Sequence, residues 1–187
     1  MLMFAYGSNL DIAQMKRRAP DAKPLASFTL TNARLIFRGV ADVVYDPDSE
    51  VVGGVWKISP ADEAALDLYE GVASGMYRRT ILPIKGFPGE PEVLLYQMNS
   101  EGIYPPSFGY LETIRQGYAD FNLPTASLEA AVRASWDGKK PSHIERKRTR
   151  RTGRPILAKR DGSAALRKPK RPGSSATGKH ADGKETT

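Results

Sequence analysis

The chain has 187 residues, enough for one domain with a sizeable core, or for one domain and an appendage. It contains no cysteine, which excludes disulfides, thiolate metal sites and cysteine nucleophiles and favours a reducing compartment. The formal net charge of +7 conceals a break: residues 1–138 carry 12 Lys and Arg against 17 Asp and Glu (net −5), whereas 139–187 carry 16 against 4 (net +12).

The first residues, Met1 to Tyr6, lack the basic flank and long apolar run of a signal peptide. No apolar stretch approaches the ~20 residues that cross a bilayer. The expectation is a cytoplasmic protein with no membrane partner, its folded body mildly acidic and its basic character confined to the C-terminal segment.

Leu2 to Tyr6 reads as a short buried strand and runs into Gly7-Ser8-Asn9, residues that turn or cap more readily than they extend. Asp11 to Ala19 has helical spacing at Ile12 and Met15 and is closed by Pro20. Between Leu10 and Leu30 little else is legible. Leu30–Phe37, Val40–Tyr45 and Val51–Ile58 read as three strands of an antiparallel meander, the last two separated by a turn at Asp46-Pro47-Asp48-Ser49. The acids Asp42, Asp46, Asp48 and Glu50 read as a solvated turn.

Ser59-Pro60-Ala61-Asp62 has the outline of a capping box, so a helix is expected to about Glu70, with Ala65, Leu68 and Tyr69 on its inner face and Gly71 as its stop. Tyr77–Ile84 and Val93–Met98 are two further strands. A helix over 107–120 carries Tyr110, Ile114 and Tyr118 on one face. A last helix, capped by Thr125 or Ser127, carries Leu128, Val132 and Trp136. Five or six strands with four short helices, and no repeated βαβ rhythm, specify an α+β fold.

Two places can carry chemistry. Consecutive N–H groups in Tyr6-Gly7-Ser8-Asn9, between a strand and a short helix, can hold a carboxylate or a carbonyl oxygen gaining charge, and Gly7 permits close approach. The plain alternative is an ordinary turn with Ser8 or Asn9 as helix cap. Glu70 sits where the helix dipole disfavours an acid, before the loop Gly71–Gly75. The plain alternative there is a solvated surface glutamate; buried among tyrosines, the same carboxyl would have a raised pKa suited to proton transfer. Both histidines, His143 and His180, lie beyond residue 138, so the body has no histidine for a triad or metal site. There is no Walker or dinucleotide motif. No cofactor or metal is expected.

Phe4-Ala5-Tyr6-Gly7-Ser8-Asn9-Leu10, Val51-Val52-Gly53-Gly54-Val55-Trp56-Lys57, Leu66-Asp67-Leu68-Tyr69-Glu70-Gly71-Val72, Ser74-Gly75-Met76-Tyr77 and Pro105-Pro106-Ser107-Phe108-Gly109-Tyr110 follow one another as blocks of a recognisable set. The ordered set resembles the gamma-glutamylcyclotransferase-like family over residues 1 to about 135. The resemblance implies a small mixed α/β barrel spanning 1–138. It implies release of an amino acid or amine from a γ-glutamyl compound, an acyl-transfer or lyase-type cyclisation with 5-oxoproline as second product. It assigns the catalytic carboxylate to Glu70, substrate binding and oxyanion stabilisation to Tyr6, Gly7, Ser8 and Asn9, and pocket lining to Tyr77 and Tyr110. The substrate remains open among γ-glutamyl amino acids, γ-glutamyl amines, an antibiotic precursor and glutathione, with Ser74–Tyr77 leaning away from a glutathione-specific branch. A homodimer is left open.

Residues 139–187 match no family pattern and have the composition of a disordered basic tail. Arg146–Arg151 and Arg167–Arg171 could neutralise phosphates of nucleic acid or another polyanion, but the segment has no tryptophan, tyrosine or phenylalanine to stack on bases. The rival reading is thus a weak or inactive family-fold protein serving as a binding module through this tail.

Overall fold

A computed structural model describes residues 1–137. The boundary at 138 and the expectations for 139–187, disorder and polyanion contact included, fall outside the described residues. The strands are β1 (Leu2–Ala5), β2 (Lys23–Phe37), β3 (Ala41–Lys57), β4 (Tyr77–Pro83) and β5 (Glu92–Met98). The α-helices are α1 (Ile12–Arg18), α2 (Pro60–Tyr69), α3 (Phe108–Asp120) and α4 (Ala126–Asp137), and a 3-10 turn occupies Ser8–Leu10.

The five strands form one sheet in the order β2-β3-β1-β5-β4. β1 runs antiparallel to β3 and parallel to β5, and the remaining pairs are antiparallel. The α+β expectation therefore holds. β1 has only four residues and β3 has seventeen, so beyond Ala5 the first half of β3 faces β5 and β4 directly. Gln97 Nε2 donates to Val43 O (2.9 Å), the Met98 N–H to Asp42 Oδ1 (3.0 Å) and the Tyr77 hydroxyl to Ala41 O (3.4 Å). These bonds curl the sheet into a small mixed α/β barrel.

Two of the three meander strands are one. β3 is continuous from Ala41 to Lys57, and Asp46–Ser49 lies within it as a local excursion. Opposite those four residues β2 offers only Asn32, at φ +56, between the pairs Thr31↔Glu50 and Ala33↔Tyr45. The long hairpin outweighs the turn signal because pairing resumes on both sides. β2 also starts earlier than its apolar pattern, at Lys23: residues 23–27 are exposed, so the backbone ladder to β3 makes them a strand without an apolar signature. Asp42 is not solvated but buried, held by Arg38 Nε at 2.8 Å.

In α2 the capping box forms as expected: Ser59 Oγ accepts from the Asp62 N–H and the Asp62 carboxylate accepts from the Ser59 N–H. The inner face differs from the expected one. Asp62, Leu66 and Glu70, spaced by four, are buried, whereas Leu68 is 83% exposed and Tyr69 half exposed. α3 buries Ile114 and Tyr118 as its spacing indicates. α4 buries Leu128, Ala131 and Ser135 and leaves Trp136 58% exposed, because its inner face is turned by about one residue from the one drawn through the largest side chains. Among the described residues no helix is long and apolar enough to cross a membrane.

Candidate active site

At the C-terminal end of β1 the chain leaves the sheet through Tyr6 and Gly7 into the 3-10 turn. The Leu10 and Asp11 N–H groups close that turn onto Gly7 O (3.0 Å) and Ser8 O (3.2 Å). The cap of α1 is Asp11, whose Oδ1 accepts from the Gln14 N–H at 2.8 Å, so neither Ser8 nor Asn9 serves that purpose. Gly7 has ordinary φ (−118°); what it provides is room, since a Cβ there would lie 3.1 Å from Ala41 Cβ and 3.2 Å from the Tyr110 hydroxyl. α3 presses on the turn from behind, where a Cβ at Gly117 would fall 2.4 Å from Leu10 Cβ. The loop is therefore packed on both sides rather than free in solvent.

The loop borders a cavity of about 170 Å³ lined by Met3 to Asn9, Val40, Ala41, Tyr69, Glu70, Met76, Tyr77, Tyr96 and Tyr110. All seven residues proposed from sequence, Tyr6, Gly7, Ser8, Asn9, Glu70, Tyr77 and Tyr110, meet there. Glu70 is the C-cap of α2; its N–H bonds Leu66 O at 2.8 Å and the chain then turns at Gly71 (φ +65). The residue is 9% exposed, so it is not a solvated surface glutamate. Its Oε1 accepts from Asn9 Nδ2 at 2.8 Å.

Burial pushes the Glu70 carboxyl above the ordinary glutamate range, and the Asn9 hydrogen bond and the nearby Arg18 charge pull part of the way back. The tyrosines around it are held firmly protonated. Burial raises Tyr6 and Tyr77 far above the usual phenol value and pushes Tyr110 up to about 12. Tyr6 donates to Tyr96 O at 2.5 Å, and Tyr110 Oη accepts from the Ala41 N–H at 3.1 Å. Each phenol is thus a neutral wall or donor, and Glu70 is the group in the cavity able to exchange a proton at moderate pH.

Three contributors lay outside the sequence reading. Tyr96, on β5, lines the cavity while its hydroxyl donates to Asp67 Oδ1 at 2.8 Å. Met76 lines it from the loop before β4. Arg18, at the end of α1, reaches Ser8 and Asn9 through one nitrogen and the Tyr69 hydroxyl through the other. In the sequence Arg18 is one of three consecutive basic residues, Lys16-Arg17-Arg18, and nothing local separates it from its neighbours. Among the described residues no group of His, Asp and Glu is clustered as a metal site requires.

The AIG2-like family model matches residues 50–130. Gamma-glutamylcyclotransferase of Bos taurus is 33% identical over 136 residues, covering 66% of this chain and 72% of that protein. Gamma-glutamylcyclotransferase of Homo sapiens is 31% identical over 162 residues, covering 77% of this chain and 85% of that protein. The chain belongs to the gamma-glutamylcyclotransferase-like family. A solved structure of a gamma-glutamyl cyclotransferase superposes with a TM-score of 0.62 at 28% identity, covering 80% of this chain and 98% of that one. The family match spans α2 and its terminal Glu70 as well as β4, β5 and α3, which bring Tyr69, Glu70, Met76, Tyr77, Tyr96 and Tyr110 to the cavity.

Proposed function

We propose that this family member is a gamma-glutamylcyclotransferase, converting a γ-glutamyl amino acid or amine into 5-oxoproline and the free amine, with Glu70 as acid and base. The observation that carries the reading is the meeting of a buried carboxylate and a packed turn of small residues in one cavity.

The reaction asks little of the protein. The substrate's own α-amino nitrogen attacks its γ-carbonyl carbon; the new C–N bond closes a five-membered ring, and the γ-amide C–N bond breaks. Nucleophile and electrophile belong to one molecule, so a cavity that folds the γ-glutamyl chain onto itself supplies most of the entropy of encounter. Glu70 takes a proton from the attacking amine and returns one to the departing nitrogen. A carboxyl raised by burial suits both halves, since it accepts more readily than an exposed glutamate and still releases its proton to an amine. Backbone N–H groups of the Tyr6–Asn9 loop are assigned to the oxyanion of the tetrahedral intermediate, a role for which one lost donor costs about 3 to 4 kcal/mol. Tyr6, Tyr77 and Tyr110 shape the wall, and the cavity's small volume suits the γ-glutamyl half of the substrate, leaving the amine half towards the exposed Tyr69 and Met76.

The catalytic unit proposed is residues 1–138, with 139–187 taking no part in the chemistry. The test is release of 5-oxoproline from γ-glutamyl-alanine by the full chain, by the chain cut after Gly138 and by Glu70→Gln. Equal turnover by the two lengths and loss of nearly all turnover in the variant is the expected result; comparable rates for wild type and variant would remove Glu70 from the mechanism.

A further inference from the structure

We propose that Arg18 is the positioning residue of this site: it fixes the Asn9 amide in the orientation that donates to Glu70 and clamps the loop to the end of α2. The inference rests on the reading of Glu70 as acid and base, and it concerns a residue that does not line the cavity.

The geometry is specific. Arg18 NH1 donates to Asn9 Oδ1 at 2.6 Å and to Ser8 Oγ at 3.1 Å. Its NH2 donates to the Tyr69 hydroxyl, and its Cζ lies 3.7 Å from the centroid of the Tyr69 ring. One guanidinium therefore touches two loop residues and the residue before Glu70. A guanidinium has donors and no acceptor, so the atom of Asn9 that faces it must be the carbonyl oxygen. An amide with its oxygen held on one side can present only its NH2 group on the other, and that side is Glu70, at 2.8 Å. Turned over, Asn9 would set its oxygen against the carboxylate and its NH2 group against a cation, two repulsions in place of two hydrogen bonds. Arg18 is itself anchored because α1 ends on the buried residues Met15 and Ala19.

The charge has a second consequence. Glu70 is faced by Tyr6 after β1, Tyr77 from β4, Tyr96 from β5 and Tyr110 from α3, all kept neutral by burial. Asp42, on β3, is paired with Arg38 at 2.8 Å. Arg18 is the cation whose charge acts on Glu70 together with the Asn9 bond that it orients, and both oppose the effect of burial. The same side chain thus governs where the base points and how far its pKa rises.

The experiment compares full-length wild type, Arg18→Met and Arg18→Lys. The Glu70 carboxyl is titrated by NMR in protein carrying ¹³C-labelled glutamate, with Glu70→Gln identifying the signal, and 5-oxoproline release from γ-glutamyl-alanine is followed across the same pH range. Arg18→Met is expected to raise the Glu70 midpoint, to move the acid limb of kcat/KM in the same direction, and to lower kcat about tenfold or more at neutral pH. Arg18→Lys restores the charge but not the planar fork, so the midpoint returns most of the way while kcat stays several-fold low. An unchanged midpoint and unchanged kcat in Arg18→Met would reduce Arg18 to a surface residue at a helix end. Should Arg18→Met fail to fold, a wild-type kcat in Arg18→Lys overturns the proposal by itself. Wild type that releases no 5-oxoproline defeats the acid/base reading, whereas the NMR midpoint still decides whether Arg18 controls Glu70.

Discussion

The two ends of α2 carry two buried carboxylates on one face, Asp62 at the start and Glu70 at the finish, with Leu66 between them. Asp62 is saturated with donors: Oδ2 accepts from the Ser59 N–H and the Ser59 hydroxyl, both at 2.9 Å, and Oδ1 from the Asp21 N–H at 3.1 Å. It also sits where the helix dipole favours negative charge. Glu70 has one side-chain donor, Asn9, opens onto a cavity, and lies at the end of the helix that favours positive charge. The same functional group, eight residues apart on one stripe, therefore belongs to the fold in one place and is available for proton transfer in the other. Burial alone does not make a carboxylate a candidate for proton transfer; burial with unfilled hydrogen-bonding capacity beside a cavity does.

Four variants sharpen or break that contrast. The largest effect is expected from Glu70→Gln, which should lower kcat for 5-oxoproline release by about 10³-fold while the fold persists, as befits loss of a general acid and base. Circular dichroism and a turnover assay decide it together. Next, Asp62→Ala should cost about 2 kcal/mol of stability, seen as a fall of about 5 °C in Tm, because it removes a cap and leaves the Asp21 and Ser59 N–H groups without their partner. Its kcat, measured well below the melting range, should match wild type. A collapse of kcat comparable to that of Glu70→Gln would erase the division between the two ends.

A smaller change is expected from Tyr77→Phe and Tyr110→Phe. Their hydroxyls reach the backbone of Ala41, so each loss should loosen the cavity wall and raise KM a few-fold, with kcat held within about twofold. Equal losses in kcat and kcat/KM would instead place the hydroxyls in the transition state. The smallest effect is a matter of pH. Burial raises the folded-state pKa of Glu70 above its ordinary value of 4.5, so its contribution to stability is fully present below that value and is lost as the pH climbs through the folded-state pKa. Glutamine carries no charge to desolvate. Glu70→Gln should therefore gain on wild type as the pH rises from 4 to 8. Denaturant melts at both pH values test this, and a variant that loses ground at high pH would mean that the ionised carboxylate stabilises the fold.

Much of this contrast is legible in the sequence because it is local. Ser59, Pro60 and Asp62 specify the start of α2 within four residues, and Gly71 marks its stop, so Glu70 lands at the C-terminus by counting. The apolar run before Tyr6 and the small residues after it likewise announce a strand followed by a tight turn. Side-chain size is a poorer guide. Leu68, Tyr69 and Trp136 look like core residues and are exposed, while Asp62 and Ser135 look like surface residues and are buried. Which stripe of a short helix faces inward depends on what it packs against, and a ten-residue segment does not contain that information.

The sequence by itself determined the four helices, the approximate places of the strands and the Tyr6–Asn9 and Glu70 segments that meet in the cavity, since capping, turn formation and strand alternation act over two to five neighbours. Only the tertiary structure decided that Asn9 meets Glu70 across 61 residues, that β3 closes onto β5 beyond the end of β1, and that Arg18 rather than Arg17 lies behind the loop. Those contacts depend on where distant segments come to rest once the whole core is packed. The two ends of α2 differ for that reason: the neighbouring Ser59 supplies two of the three donors to Asp62, and the returning chain supplies the surroundings of Glu70.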